Sequence, residues 1–101
     1  MDYEIIIEGD QVLIKLSGNV WYENAPAIRE LLLGHIESGY KKIIVDLEDL
    51  CYIDNNGLGI LITSHKLALR LGSSFIIRSP RGVIKDLFTL TRLDKMLEIQ
   101  E

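Results

Sequence analysis

The sequence predicts a small α/β domain whose mixed β-sheet and helices follow the order ββαβαβαβ, and three patterns lead to it. Short runs of Ile, Val and Leu at strand length alternate with stretches in which apolar residues recur every three to four positions. A Gly-Asp pair separates the first two runs, where a hairpin turn belongs. Each later run follows a helix-length segment, the spacing of parallel strands joined by crossovers.

Tyr3 to Glu8 and Gln11 to Ser17 are the two arms of the hairpin, with Gly9-Asp10 between them. Val12, Ile14 and Leu16 fall on one face of the second arm, Leu13 and Lys15 on the other, so at least one face packs on the body of the domain. Asn24 is a candidate N-cap for the first helix and Pro26 suits its first turn. Ile28, Leu31, Leu32, His35 and Ile36 share one helical face up to a stop at Gly39. Lys42 to Leu47 contains the β-branched run Ile43-Ile44-Val45, the signature of a central strand covered on both faces. Asp54-Asn55-Asn56-Gly57 combines capping and turn residues. A second helix then follows through Leu58, Leu61, Ile62, His65 and Leu69 to Gly72. Phe75-Ile76-Ile77 is a further strand. Val83, Ile84, Leu87 and Phe88 form a third helical stripe opened by Pro80, and Leu97 and Ile99 mark a last short strand.

Composition narrows the function. At 101 residues the chain suits one domain spanning 1–101, large enough to hold a core without a metal or disulfide staple. Its 11 Lys and Arg against 15 Asp and Glu leave a formal charge of −4. With no basic block longer than Lys41-Lys42, nucleic acid is a poor partner. The lone Cys51 cannot pair within the chain, which fits a reducing compartment and makes the cytoplasm the expected location. No apolar run approaches the roughly 20 residues of a membrane span, and the acidic start Met1-Asp2-Tyr3-Glu4 is unlike a signal peptide.

The richest stretch for chemistry is the one that opens the second helix. Backbone N–H groups in a first turn lack intrahelical acceptors, so Asn56, Gly57 and Leu58 could present donors to an acceptor or anion. Equally, Asp54 or Asn55 could simply cap the helix, with Gly57 and Gly59 allowing a tight turn and close packing. Asn56-Gly57 is also a pair prone to slow deamidation, which would place a carboxylate there. Other candidates are weaker. His35 and His65 have no partners at metal-ligand spacing, and no metal or cofactor is expected. Asp46 and Asp54 are the only carboxylates that suggest an α/β enzyme, without a nucleophile and base beside them. Phosphate-loop signatures are absent. Cys51 reads as packed near the end of the central strand, and Trp21-Tyr22 as either a core lid or an interface anchor.

An apolar strand followed by Asp54-Asn55-Asn56-Gly57-Leu58-Gly59 resembles the sulfate-transporter and anti-sigma-antagonist (STAS) domain family. The resemblance spans nearly the whole chain. It includes the paired strands before the first helix, the Gly72 break before Phe75-Ile76-Ile77, and Phe88-Thr89-Leu90-Thr91-Arg92-Leu93-Asp94. It implies an anti-sigma factor antagonist that is not an enzyme: a protein that binds an anti-sigma factor of serine-kinase type and so releases a sigma factor. In stand-alone members the second residue after the motif aspartate is a serine or threonine that the kinase phosphorylates. Here it is Asn56, which has no hydroxyl to accept phosphate. The resemblance thus implies a partner surface of Asp54, Asn55, Asn56, Gly57 and Leu58, extended by Trp21, without the usual covalent switch. A constitutive binder, a binder under other control and a laboratory variant all fit. So does the alternative of a scaffold subunit in a stress-signalling or lipid-transport complex. Thr63 and Ser64, further along the same helix, do not match the family's modified position.

Overall fold

The computed structural model describes residues 1–101. Its strands are β1 (Asp2–Glu8), β2 (Gln11–Val20), β3 (Lys42–Ile53), β4 (Ser74–Arg78) and β5 (Glu98–Gln100). Its helices are α1 (Ala25–Glu37), α2 (Asn55–Leu71), α3 (Gly82–Leu90) and α4 (Leu93–Met96), with a 3₁₀ turn at Tyr22–Asn24. The expected order is present, with the 3₁₀ turn and α4 added. The strands lie in the order β1-β2-β3-β4-β5, antiparallel between β1 and β2 and parallel from there on. β3 is the central strand, as its β-branched run predicts. Gly9, at φ 61, occupies the first central place of the two-residue turn, the position a type II′ hairpin reserves for glycine.

The three crossovers step across the sheet in one direction, so right-handed connections set α1, α2 and α3 on the same face. The burial agrees. Ile28, Leu32 and Ile36 from α1, Leu58, Leu61 and Ala68 from α2, and Ile84 and Phe88 from α3 form one cluster with Val12, Ile14, Leu16, Ile43, Val45, Leu47, Phe75 and Ile77. Ile44 and Ile76 are buried yet stand outside that cluster, on the opposite face. That face carries no helix. Register aligns Ile6, Leu13, Ile44 and Ile76 in one row across it, and Glu4, Lys15, Asp46 and Arg78 in the next.

Several local expectations are corrected. β3 runs six residues past Leu47, and its pairing with β2 shifts register between Lys15 and Ser17 and again between Gly18 and Asn19. Gly18 pairs with Leu50 and Asn19 with Tyr52, leaving Cys51 between them without a partner, and its side chain is exposed rather than packed. Asn24 does not cap α1 with its side chain. Its Oδ1 accepts from the Trp21 N–H at 2.9 Å and closes the 3₁₀ turn instead. α3 opens at Gly82, with Pro80 buried in the loop before it, and Val83 faces solvent. On α2, Leu69 is exposed, and the buried line runs through Gly57, Leu58, Leu61, Ser64 and Ala68.

Candidate functional site

β2 and β3 stay paired with each other beyond the last residues that β1 and β4 pair, and their ends carry the start of α2. The Asp54 N–H donates to the Val20 carbonyl at 3.1 Å, which ties the end of β3 to that of β2. Asp54 itself is extended (φ −92, ψ −178), and its Oδ1 accepts from the Gly57 N–H at 3.0 Å while its carbonyl accepts from the Leu58 N–H at 2.9 Å. It is the N-cap of α2, with its negative charge at the positive end of the helix dipole. Two of the three donors that the sequence offers to an external anion are therefore already used, by Asp54. An anion arriving here would also meet the Asp54 carboxylate. The same bond engages the Gly57 N–H and fixes the backbone in a helix start, which opposes the deamidation that Asn56-Gly57 suggests.

Gly57 is buried for a steric reason. A Cβ there would lie 2.5 Å from Ile53 Cγ1 and 3.0 Å from Val20 Cγ1, so the helix start rests directly on the strand ends. Gly59 has open space around it and no such constraint. Leu58 is 5% exposed and belongs to the core, so its side chain is not on the surface of the site. Asn55 and Asn56 are exposed side by side on the first turn. The structure thus divides the six residues: Asn55, Asn56 and Trp21 face outward, Asp54 caps the helix at intermediate exposure, and Gly57 and Leu58 support it from below.

Trp21 brings in a residue that sequence reasoning missed. Its ring stacks on Tyr52 at a centroid distance of 4.7 Å with the planes tilted by 34°, and Trp21 remains 41% exposed. The pairing arises because Asn19–Tyr52 and Val20–Ile53 are register partners, which brings the residue after β2 alongside the end of β3. The exposed Trp21 ring, backed by a half-buried Tyr52 and lying beside the uncharged Asn55 and Asn56, offers contact area that loses little side-chain entropy on binding. The signal was Tyr52, two residues before Asp54, but the contact depends on a register that local pattern does not reveal.

The other candidates have structural partners. Asp46 is 5% exposed on the helix-free face. Its Oδ2 pairs with the Arg78 guanidinium at 2.9 Å and its Oδ1 accepts from the Glu48 N–H at 2.9 Å, so its carboxylate is engaged in holding β3 to β4. Asp54 is occupied by its cap. No group of three His, Cys, Asp or Glu residues is placed to hold a metal ion. His35 Nδ1 donates to the Leu31 carbonyl at 2.7 Å, and His65 keeps a buried Nδ1 without a partner. Ser64 is fully buried with its Oγ donating to the Ile60 carbonyl, whereas Thr63 is exposed and donates to the Gly59 carbonyl. No helix is long and apolar enough to cross a membrane.

Comparison with known proteins places this geometry. The chain is 26% identical over 90 residues to an anti-sigma-B factor antagonist of Bacillus subtilis, covering 89% of this chain and 82% of that one. A Thermotoga maritima protein provisionally described as an anti-sigma factor antagonist is 27% identical over 100 residues, covering 98% and 87%. A crystal structure of a Thermotoga maritima protein of the same description superposes with a TM-score of 0.90 at 26% identity, covering 98% of this chain and 86% of that one. The unphosphorylated form of the anti-sigma factor antagonist SpoIIAA shares the fold, with a TM-score of 0.83 at 19% identity and coverage of 97% and 87%. The STAS domain model matches residues 3–101. The chain belongs to the STAS domain family.

Proposed function

We propose that this protein is a cytoplasmic anti-sigma factor antagonist that acts by binding, without turnover. It docks on an anti-sigma factor of serine-kinase type through Asn55, Asn56 and Trp21, and so frees the sigma factor which that partner holds. Asp54, Gly57 and Leu58 build the platform from below. The names carried by the Bacillus subtilis and Thermotoga maritima relatives support the class of activity. One observation carries the mechanism: the residue two positions after the capping Asp54 is exposed, uncharged and without a hydroxyl.

Phosphorylation at that place would add roughly −2 charge next to a carboxylate and against the partner surface. Asn56 accepts no phosphate, so the surface stays in its neutral, binding form whether or not the kinase holds ATP. The same feature suits a second reading, a scaffold subunit in a larger assembly, because a scaffold has no need for release by its partner.

The experiment uses the protein and its Asn56→Ser variant, each incubated with an anti-sigma kinase and ATP. Incorporated phosphate and complex affinity are then measured. The serine variant is expected to take phosphate and lose affinity by tenfold or more, while the unaltered protein takes none and stays bound. Stoichiometric phosphate on the unaltered protein, with release, would overturn the proposal. Absence of any complex with either version would favour the scaffold.

A further inference from the structure

We propose that the outer edge of β1 receives an extended, cationic strand from another protein and so lengthens the sheet by one strand. This surface is separate from the one around Asn56 and does not depend on that assignment. β1 is the end strand of the sheet and pairs with β2 alone. Glu8 and Gln11 flank the two-residue turn and so form its hydrogen-bonded pair. In an antiparallel ladder such pairs alternate, so Ile6, Glu4 and Asp2 bond inward to β2, while the N–H and C=O groups of Tyr3, Ile5 and Ile7 point outward.

Three features make this edge a receiver. All seven residues of β1 are exposed, including Tyr3 at 55%, Ile7 at 53%, Ile6 at 40% and Ile5 at 37%. Of the usual protections of a free edge, β1 keeps only charge, carried by its acidic side chains. β1 has no proline, no lysine and no shift in its register with β2, whereas the opposite edge, β5, is only three residues long. Third, the charge on the strand has one sign. Asp2, Glu4 and Glu8 share the helix-free face with Ile6, while Tyr3, Ile5 and Ile7 share the other. The one cation directly across the ladder is Lys15, opposite Glu4.

That charge decides the occupant. A second copy pairing antiparallel about Ile5 would set Asp2 opposite Glu8 at both ends, and like charges directly opposite each other destabilise a strand pair. A strand with Lys or Arg at every second position instead places cations along the carboxylate row and its apolar residues beside Tyr3, Ile5 and Ile7. Main-chain bonds then supply affinity and the charge supplies selection, the physics of strand addition.

The test uses the full chain and two synthetic peptides, one alternating lysine with valine and one alternating glutamate with valine. Hydrogen exchange is read at individual amides. The lysine peptide is expected to slow exchange at Tyr3, Ile5 and Ile7 by at least about tenfold, and the glutamate peptide to leave them unchanged. Ile5→Pro, which removes an outward N–H and leaves the β1–β2 ladder intact, is expected to weaken the lysine peptide about tenfold or more. The double variant Glu4→Lys/Glu8→Lys keeps every apolar contact and reverses the preference, which keeps the test decisive if the proline variant does not fold. Three results would each overturn the proposal: no slowing with the lysine peptide at millimolar concentration, equal slowing with both peptides, or slow exchange at Tyr3, Ile5 and Ile7 in a dimer of the protein alone.

Discussion

Gly57 occupies a helical position where alanine would normally be the better residue, by about 1 kcal/mol. Two rigid neighbours reverse that preference. Ile53 and Val20 are 1% and 0% exposed, and the missing Cβ would approach their side chains to 2.5 and 3.0 Å. Overpacking of this kind costs about 1–3 kcal/mol, more than the helix propensity returns. Gly57→Ala is therefore expected to lower the urea midpoint, and a midpoint that stays or rises would remove the steric account. Asn56, next to it, has the opposite character. It is exposed and carries no structural duty that a serine would disturb, so the Asn56→Ser comparison reads phosphate transfer without a folding cost. Adjacent residues on one turn thus divide between holding the platform and facing the partner.

At the scale of an element, α2 shows why periodicity alone misplaces a face. Leu58, Ile60, Leu61, Ile62, Leu67, Leu69 and Leu71 spread around most of the helix, so several apolar stripes can be drawn through the same sequence. Packing against α1 and the sheet selects one of them, and Leu69 is left 65% exposed while Leu58 is 5% exposed. Leu58→Ala is expected to cost about 2–4 kcal/mol through transfer and cavity terms. Leu69→Ala is expected to stay within about 0.5 kcal/mol of the parent, as surface changes usually do. Chemical denaturation of the two variants checks this directly, and equal losses would mean that the helix is rotated from the orientation described. β3 teaches the same lesson for strands. Its local alternation carries no mark of the two register shifts with β2, and those shifts decide that Cys51 points out and that Tyr52 meets Trp21.

For the molecule as a whole, the decisive fact is that every helix lies on one side of the sheet. The other side is closed only by its own side chains, with an apolar row and a row of alternating charge between β1 and β4. Asp46 and Arg78 anchor the charged row across β3 and β4. Arg78→Met is expected to cost about 1–2 kcal/mol. A hydrogen bond to a charged group contributes more than that in isolation, but the Arg78 side chain is 38% exposed and solvent screens part of the pair. Adding Asp46→Asn to it should recover part of the loss, because the carboxylate is then no longer left buried without its cation. Thermal denaturation of the two single variants and the double variant measures the coupling, and strict additivity would mean that the pair contributes nothing.

The order of elements, the hairpin, the central place of β3 and the start of α2 at Asp54 were legible in the sequence, because each follows from local chemistry. Alternation, β-branched runs, a turn glycine and a capping carboxylate act within a few residues of themselves. The family resemblance was legible for the same reason, since each of its marks, from the paired strands through Asp54–Gly59 to Phe88–Asp94, is a short local pattern and their order along the chain is read directly. The rest depended on contacts between residues far apart in the chain. Which of the six candidate residues reach solvent, why Gly57 admits no side chain, how Trp21 finds Tyr52 and which strand edge stays open are set by register and by the direction of the crossovers. Those are properties of strands meeting one another, and no single segment contains them.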